Sequence, residues 1–142
     1  MNPQELITTL KDQHRTLQND LSLALNNSNA TGSLVGSTIV ENLSKFKKDL
    51  LEHLKLENGE FYPDYLEKKT KRGEDITSTK EFVRQMDEIG KVVIGFLEKY
   101  STPESVEKVI PEFRKELANI IGTLNTRIET EEDGVFGLYL LI

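Results

Sequence analysis

The chain has no cysteine among its 142 residues. Disulfides, thiolate zinc sites and cysteine nucleophiles are therefore excluded. It has only four prolines, few clusters of β-branched residues and no stretch that alternates apolar with polar, so strand signals are missing as well. No apolar run approaches the roughly 20 residues of a membrane span, and the N-terminus lacks a signal-peptide pattern. Lys and Arg number 18 against 24 Asp and Glu, a net charge of −6. With that balance and no basic face, neither nucleic acid nor an anionic membrane is an expected partner. No nucleophile with a base, phosphate loop or acid–base pair at a cleft stands out, so an enzyme is the less favoured class. What is left is a cytoplasmic, all-α protein of one domain, residues 1–142, long enough to bury a core without staples.

What the chain does have is helical periodicity. Ile39, Leu43, Phe46 and Leu50 follow one another at steps of three and four, and the stripe resumes at Phe61 and Tyr65. The positions it demands in between are His53 and Glu57. A histidine and a carboxylate one turn apart thus occupy places meant for leucines. Burying them costs free energy unless each finds a partner, so other polar groups in the core must answer them.

Three further helices carry candidates. The first opens on Asn2, Pro3 and Glu5, a cap, a first-turn proline and a capping box, and its stripe Ile7, Leu10, His14, Leu17, Leu21, Leu25 includes a histidine. It ends in Asn26-Asn27-Ser28-Asn29, and the Ser, Gly and Thr residues up to Thr38 read as a loop. Thr38 with Glu41 suggests a capping box for the second helix, which runs to about Lys68 and closes in the basic run Lys68, Lys69, Lys71, Arg72 before Gly73. The third should begin at Ser78 with Glu81 as its box, presenting Phe82, Met86, Ile89, Val93, Phe96 and Tyr100. A short helix fits between Pro103 and Ile110. Pro111 then starts the fourth, with Leu117, Ile120, Leu124, Arg127, Glu131 and Val135 on one face. Arg127 and Glu131 repeat the anomaly of His53 and Glu57. The apolar tail from Phe136 to Ile142 should dock on the body or serve self-association.

Four helices of this length with short connections suggest an up-down-up-down four-helix bundle. His14, His53, Met86 and Arg127 each lie about 14–16 residues from one end of their helix, roughly 20–25 Å at ~1.5 Å per residue. His14, His53, Glu57, Met86, Arg127 and Glu131 should therefore share one buried layer. Glu129, Glu132 and Asp133 read as a solvated face beside it, and Tyr62 and Tyr65 as packing aromatics. A histidine phosphotransfer bundle would need an exposed histidine, and both histidines here fall on buried stripes.

The chain resembles the hemerythrin-like, or HHE cation-binding, family. His14 in LKDQHRTL matches that family's first-helix histidine. HLKLENGEFYP looks like its second-helix signature, with His53, Glu57 and the Phe61-Tyr62-Pro63 ending, and LNTRIETEEDGVFG is similar to its fourth-helix signature through Glu131. The resemblance implies a four-helix bundle enclosing iron, and relatives that handle dioxygen, nitric oxide or redox signals. Two of six ligand positions depart from the pattern: Met86 and Arg127 stand where the family has histidines. Thioether sulfur is a poor ligand for iron, and a guanidinium cannot ligate.

Two readings follow. In one, His14, His53, Glu57 and Glu131 bind a metal ion, iron and mononuclear rather than di-iron, in a sensing module for a metal, a small diatomic ligand or a redox signal. In the other, Arg127 pairs with Glu131 and replaces the metal in a scaffold or regulatory module that binds protein. Charge balance favours the second, with two carboxylates, one arginine and neutral histidines.

Overall fold

Asn2 caps the first helix as its sequence suggests: its side chain accepts from Glu5 N at 2.8 Å, and Glu5 closes the box by accepting from Asn2 N. In the computed structural model, which describes every residue except Thr31 and Ser33, helix α1 covers Pro3–Asn27, α2 Val35–Leu56, α3 Tyr62–Lys71, α4 Thr77–Lys99, α5 Pro103–Glu107, α6 Ile110–Thr130 and α7 Phe136–Leu141. Two π-turns, Glu57–Phe61 and Glu131–Val135, join α2 to α3 and α6 to α7 without a break. The chain is thus four rods, α1, α2–α3, α4 and α6–α7, with α5 leading into the last. Rod α1 packs on α2 and α6, and α4 packs on the same two, which closes the ring of an all-α bundle. Among the described residues no helix is long and apolar enough to cross a membrane.

Two helix starts differ from the capping reading. Helix α2 begins at Val35, three residues before Thr38, whose N–H is already bonded to Leu34 O at 2.9 Å. Val35 packs against the core, and the first turn is answered from a distance: Gly36 N donates to Glu107 Oε1 of α5 at 3.2 Å. A Cβ at Gly36 would meet that oxygen at 2.6 Å and Pro103 O at 2.7 Å, so the approach of α5 demands glycine. Helix α4 starts at Thr77, where Asp75 accepts from the Thr77 N–H and hydroxyl, while Glu81 pairs instead with Arg84. Thr31 and Ser33, within the expected first loop, lie outside the described residues.

Two apolar clusters form the core. One runs from Leu17, Phe46 and Leu50 to Phe96, Phe113 and Leu124. The other gathers Ile7, Leu10, Phe61, Tyr62, Tyr65, Phe136 and Tyr139. In chain order His14 falls between Leu10 and Leu17, and His53 between Leu50 and Phe61, so a polar layer separates the clusters. Each fully buried aromatic or leucine contributes about 1.5–3 kcal/mol, which holds the layer from both sides. The tail docks through Phe136 and Tyr139, while Leu138, Leu140 and Leu141 remain exposed.

The phase of α6 is a further difference. Its buried positions are Phe113, Leu117, Ile120, Leu124 and Ile128, followed by Glu131 at the head of the second π-turn. The step of four after Leu124 passes over Arg127, which is left half-buried at the edge of the stripe. Met86 is half-buried too.

Candidate metal centre

Four of the six layer residues meet. His14 on α1, His53 on α2, and Glu57 and Glu131 at the heads of the two π-turns are all buried, and one ligand atom from each falls within 4.8 Å of the others. His53 Nε2 is 2.7 Å from Glu57 Oε2, and His14 Nε2 is 3.2 Å from Glu131 Oε1 and 3.9 Å from Glu57 Oε2. With metal–ligand bonds of about 2.1 Å, atoms sharing an ion stand about 3.0 Å apart at right angles and about 4.2 Å apart when opposite. The observed separations are close to that range.

Both π-turns begin on a cluster carboxylate. Tyr62 N and Phe136 N each bond five residues back, to Glu57 O and Glu131 O. The extra residue widens the turn and rotates everything after it. One cause is local on the second rod: Pro63 has no N–H, and in a regular helix its ring would press on the carbonyl of Gly59. Because of the widened turn, Phe61 and Tyr62 are both buried, and the Tyr62 hydroxyl donates to Glu131 Oε2 at 2.7 Å across the bundle. Tyr62 is thus more than packing.

Each histidine has its outer nitrogen held. His53 Nδ1 stands 2.8 Å from Gln13 Oε1, and His14 Nδ1 stands 2.7 Å from Glu132 Oε2. Both oxygens are acceptors, so each Nδ1 carries the proton and each Nε2 faces the cluster. Glu132 is also paired with Arg15. The solvated-face reading of Glu132 is therefore overturned, whereas Glu129 and Asp133 are exposed as expected. Gln13 and Glu132 carry no periodic signature of their own; their only mark in the chain is that each sits beside a cluster residue.

The polar layer is incompletely satisfied by protein. His14 Nε2 and both Glu57 carboxylate oxygens are buried without a hydrogen-bond partner in the protein. Such groups are rare in folded proteins because each forfeits its hydration. A cation at their common point would satisfy all of them, so the donor set fits a metal. Protonation tells the same story. Burial works to lower the pKa of His14, but the carboxylates of Glu131, Glu57 and Glu132 outweigh it and raise it to about 9. Burial raises Glu131 to about 7, with the Glu57 charge adding to it and His14 opposing. Burial also opposes ionisation of Glu57, yet His14 and His53 beside it hold its carboxyl below the usual range. Without metal, His14 itself becomes the cation that the carboxylates require.

Arg127 does not take that part. Its Nη2 donates to Gln85 Oε1 at 2.7 Å, and its guanidinium lies 4.9 Å from the centre of the Phe82 ring. Among the described residues it forms no ion pair, and Glu131 is partnered by His14 and Tyr62. The expected Arg127–Glu131 pair is thus absent, because Arg127 lies at the edge of the stripe. It does line, with Met86, His14, His53 and Glu131, a cavity of about 110 Å³ beside the cluster.

A helical bundle with histidine and glutamate gathered in a buried layer is an arrangement that could hold a metal ion. Residues 5–139 match the hemerythrin HHE cation binding domain, and the chain belongs to that family. No curated protein and no solved structure gives a significant match.

Proposed function

We propose that the protein holds one transition-metal ion, iron by the habit of its family, on His14, His53, Glu57 and Glu131, and works as a sensor of a small ligand or redox signal. The observation that carries this reading is the trio of buried, unpartnered donors, His14 Nε2 and the two Glu57 oxygens. A buried polar atom without a hydrogen-bond partner costs about 1–3 kcal/mol, which a divalent cation held by these atoms would relieve. Four donors suit one ion better than two.

When bound, the metal supplies Lewis acidity and a coordination position open to a small ligand. The chain does the positioning. Gln13 and Glu132 hold the two imidazoles in the tautomer that directs Nε2 inward. Tyr62 donates to Glu131 Oε2, which leaves Oε1 toward His14. Ile89, Val93, Leu124 and Ile128 give the adjoining cavity apolar walls that disfavour bulk water. Leu54, Met86 and Gly90 line both this cavity and an outer groove along α4.

The metal-free scaffold reading is less well supported, since the ion pair that was to replace the metal is not formed. Protein purified from medium containing iron, manganese and zinc should carry nearly stoichiometric metal by elemental analysis, and His53→Ala should lose it. A wild type that comes out metal-free, and stays so on reconstitution, would overturn the proposal.

A further inference from the structure

Sulfur is scarce in this chain. It has no cysteine, and its only methionines are Met1 and Met86. Reversible oxidation of a side chain by peroxide, which falls first on thiolates where they exist, is left here to two thioethers. Met1 lies at the surface, 65 % exposed, with its sulfur 3.5 Å from the Thr9 hydroxyl. Met86 is the one placed near the buried layer. The metal reading does not use it, because thioether sulfur is a poor ligand for iron.

Met86 has two surroundings. On one side it lines the cavity of about 110 Å³ together with Ile89, Val93 and Ile128. On the other it lines the outer groove of about 350 Å³, which exposed Asn58, Asp87, Lys91 and Glu98 also line. Small solutes thus reach the groove from water. From Lys80 to Val92 every residue of α4 is half-buried or exposed, whereas Val93, Phe96 and Leu97 further along are buried. This part of α4 is lightly held, and an unbranched, flexible methionine repacks there at little cost.

Hydrogen peroxide would change which surrounding suits it. The sulfur lone pair attacks one peroxide oxygen, an S–O bond forms and the O–O bond breaks. The departing hydroxide takes the proton of the transferred oxygen and becomes water. Sulfur is oxidised to the sulfoxide, and the peroxide is reduced. The sulfoxide oxygen is a hydrogen-bond acceptor, and burying it among Ile89, Val93 and Ile128 without a donor is unfavourable. The cationic donor on that wall, Arg127, is held by Gln85 and the Phe82 face. In the groove, water supplies the donor.

We propose that Met86 is a site of reversible modification by peroxide, and that its sulfoxide turns into the outer groove and loosens α4 above the cavity. The modification itself needs no metal. Its effect on metal retention rests on the reading above, and it gives the redox signal named there a chemical form.

The test treats full-length protein with hydrogen peroxide, both metal-free and loaded with zinc, which takes no part in redox chemistry itself. Peptide mass spectrometry should find one added oxygen at Met86 as well as at Met1, and methionine sulfoxide reductase should remove it. In the metal-free protein, amide hydrogen exchange over residues 82–93 should become at least about tenfold faster. Zinc release to a chromophoric chelator should quicken by a similar factor. Met86→Leu, in which only Met1 is open to oxidation, should show neither change on treatment. Met86 left unmodified after Met1 is fully converted, or a Met86 sulfoxide with unchanged amide exchange, overturns the proposal. Unchanged zinc release despite faster exchange overturns the link to the layer alone. Protein that takes up no metal overturns the metal reading, and the exchange measurement then decides on Met86 by itself.

Discussion

Tyr62 and Glu131 are 69 residues apart in the chain and 2.7 Å apart in the fold, phenol to carboxylate, both buried. The bond ties the α2–α3 rod to the head of the second π-turn. Burial and the neighbouring Glu131 charge both push the phenol pKa up, so Tyr62 stays a donor. Tyr62→Phe would strip Glu131 Oε2 of that donor while keeping the ring in place. The metal-free protein should lose about 1–3 kcal/mol in urea denaturation. A change of a few tenths would mean that water takes over the bond.

Glu132 reaches His14 from outside the cluster. Its removal in Glu132→Ala frees the His14 ring and its tautomer without deleting any donor of the cluster. Metal affinity, measured by competition with a chromophoric chelator, should fall about 10–100-fold. Glu129→Ala, one exposed residue in the same stretch, should leave it unchanged. Equal effects of the two substitutions would show only a general loss of acidic charge.

The cluster should make both stability and metal uptake depend on pH. In the metal-free protein the folded-state pKa of His14, about 9, lies above its ordinary 6.5, so its contribution is complete below about 6.5 and is lost as pH rises through 9. Glu131, raised from 4.5 to about 7, disfavours the fold as it ionises, which lowers stability over that same interval. Glu57, with its pKa lowered, contributes above about pH 4.5, and that contribution is lost as pH falls toward about 2. The metal-free protein should therefore be most stable in mildly acidic solution and weaken toward pH 9, by an amount on the order of 3 kcal/mol from His14. A metal must displace those protons. Near neutral pH its binding should release between about one and two of them, read from calorimetry in buffers of different ionisation enthalpy. No release would place His14 outside the coordination sphere.

Much of the architecture is legible along the chain. Steps of three and four repeated over long stretches, Asn2 with Glu5, and the break at Pro103 all express local rules, and local rules survive folding because the residues that enforce them are neighbours. The same periodicity picks out His14, His53, Glu57 and Glu131, since a polar residue on an apolar stripe is conspicuous by its place alone. Arg127 departs from this pattern. A stripe predicts burial only while its phase holds, and on α6 a step of four in place of three hands the buried position to Ile128. The starts of α2 and α4 differ as well: Gly36 N donates to Glu107 of α5, and Thr77 N donates to Asp75.

The sequence by itself determined four amphipathic rods and the polar residues that interrupt them, because helical spacing is a property of one segment and its solvent. Only the tertiary structure decided which partners those residues have. Gln13 on His53, Glu132 on His14, Tyr62 on Glu131 and Arg127 beside the cavity are contacts between rods, set by two widened turns and by how side chains interlock across the core. Such contacts depend on distance in space, and residue spacing along one helix carries no measure of it.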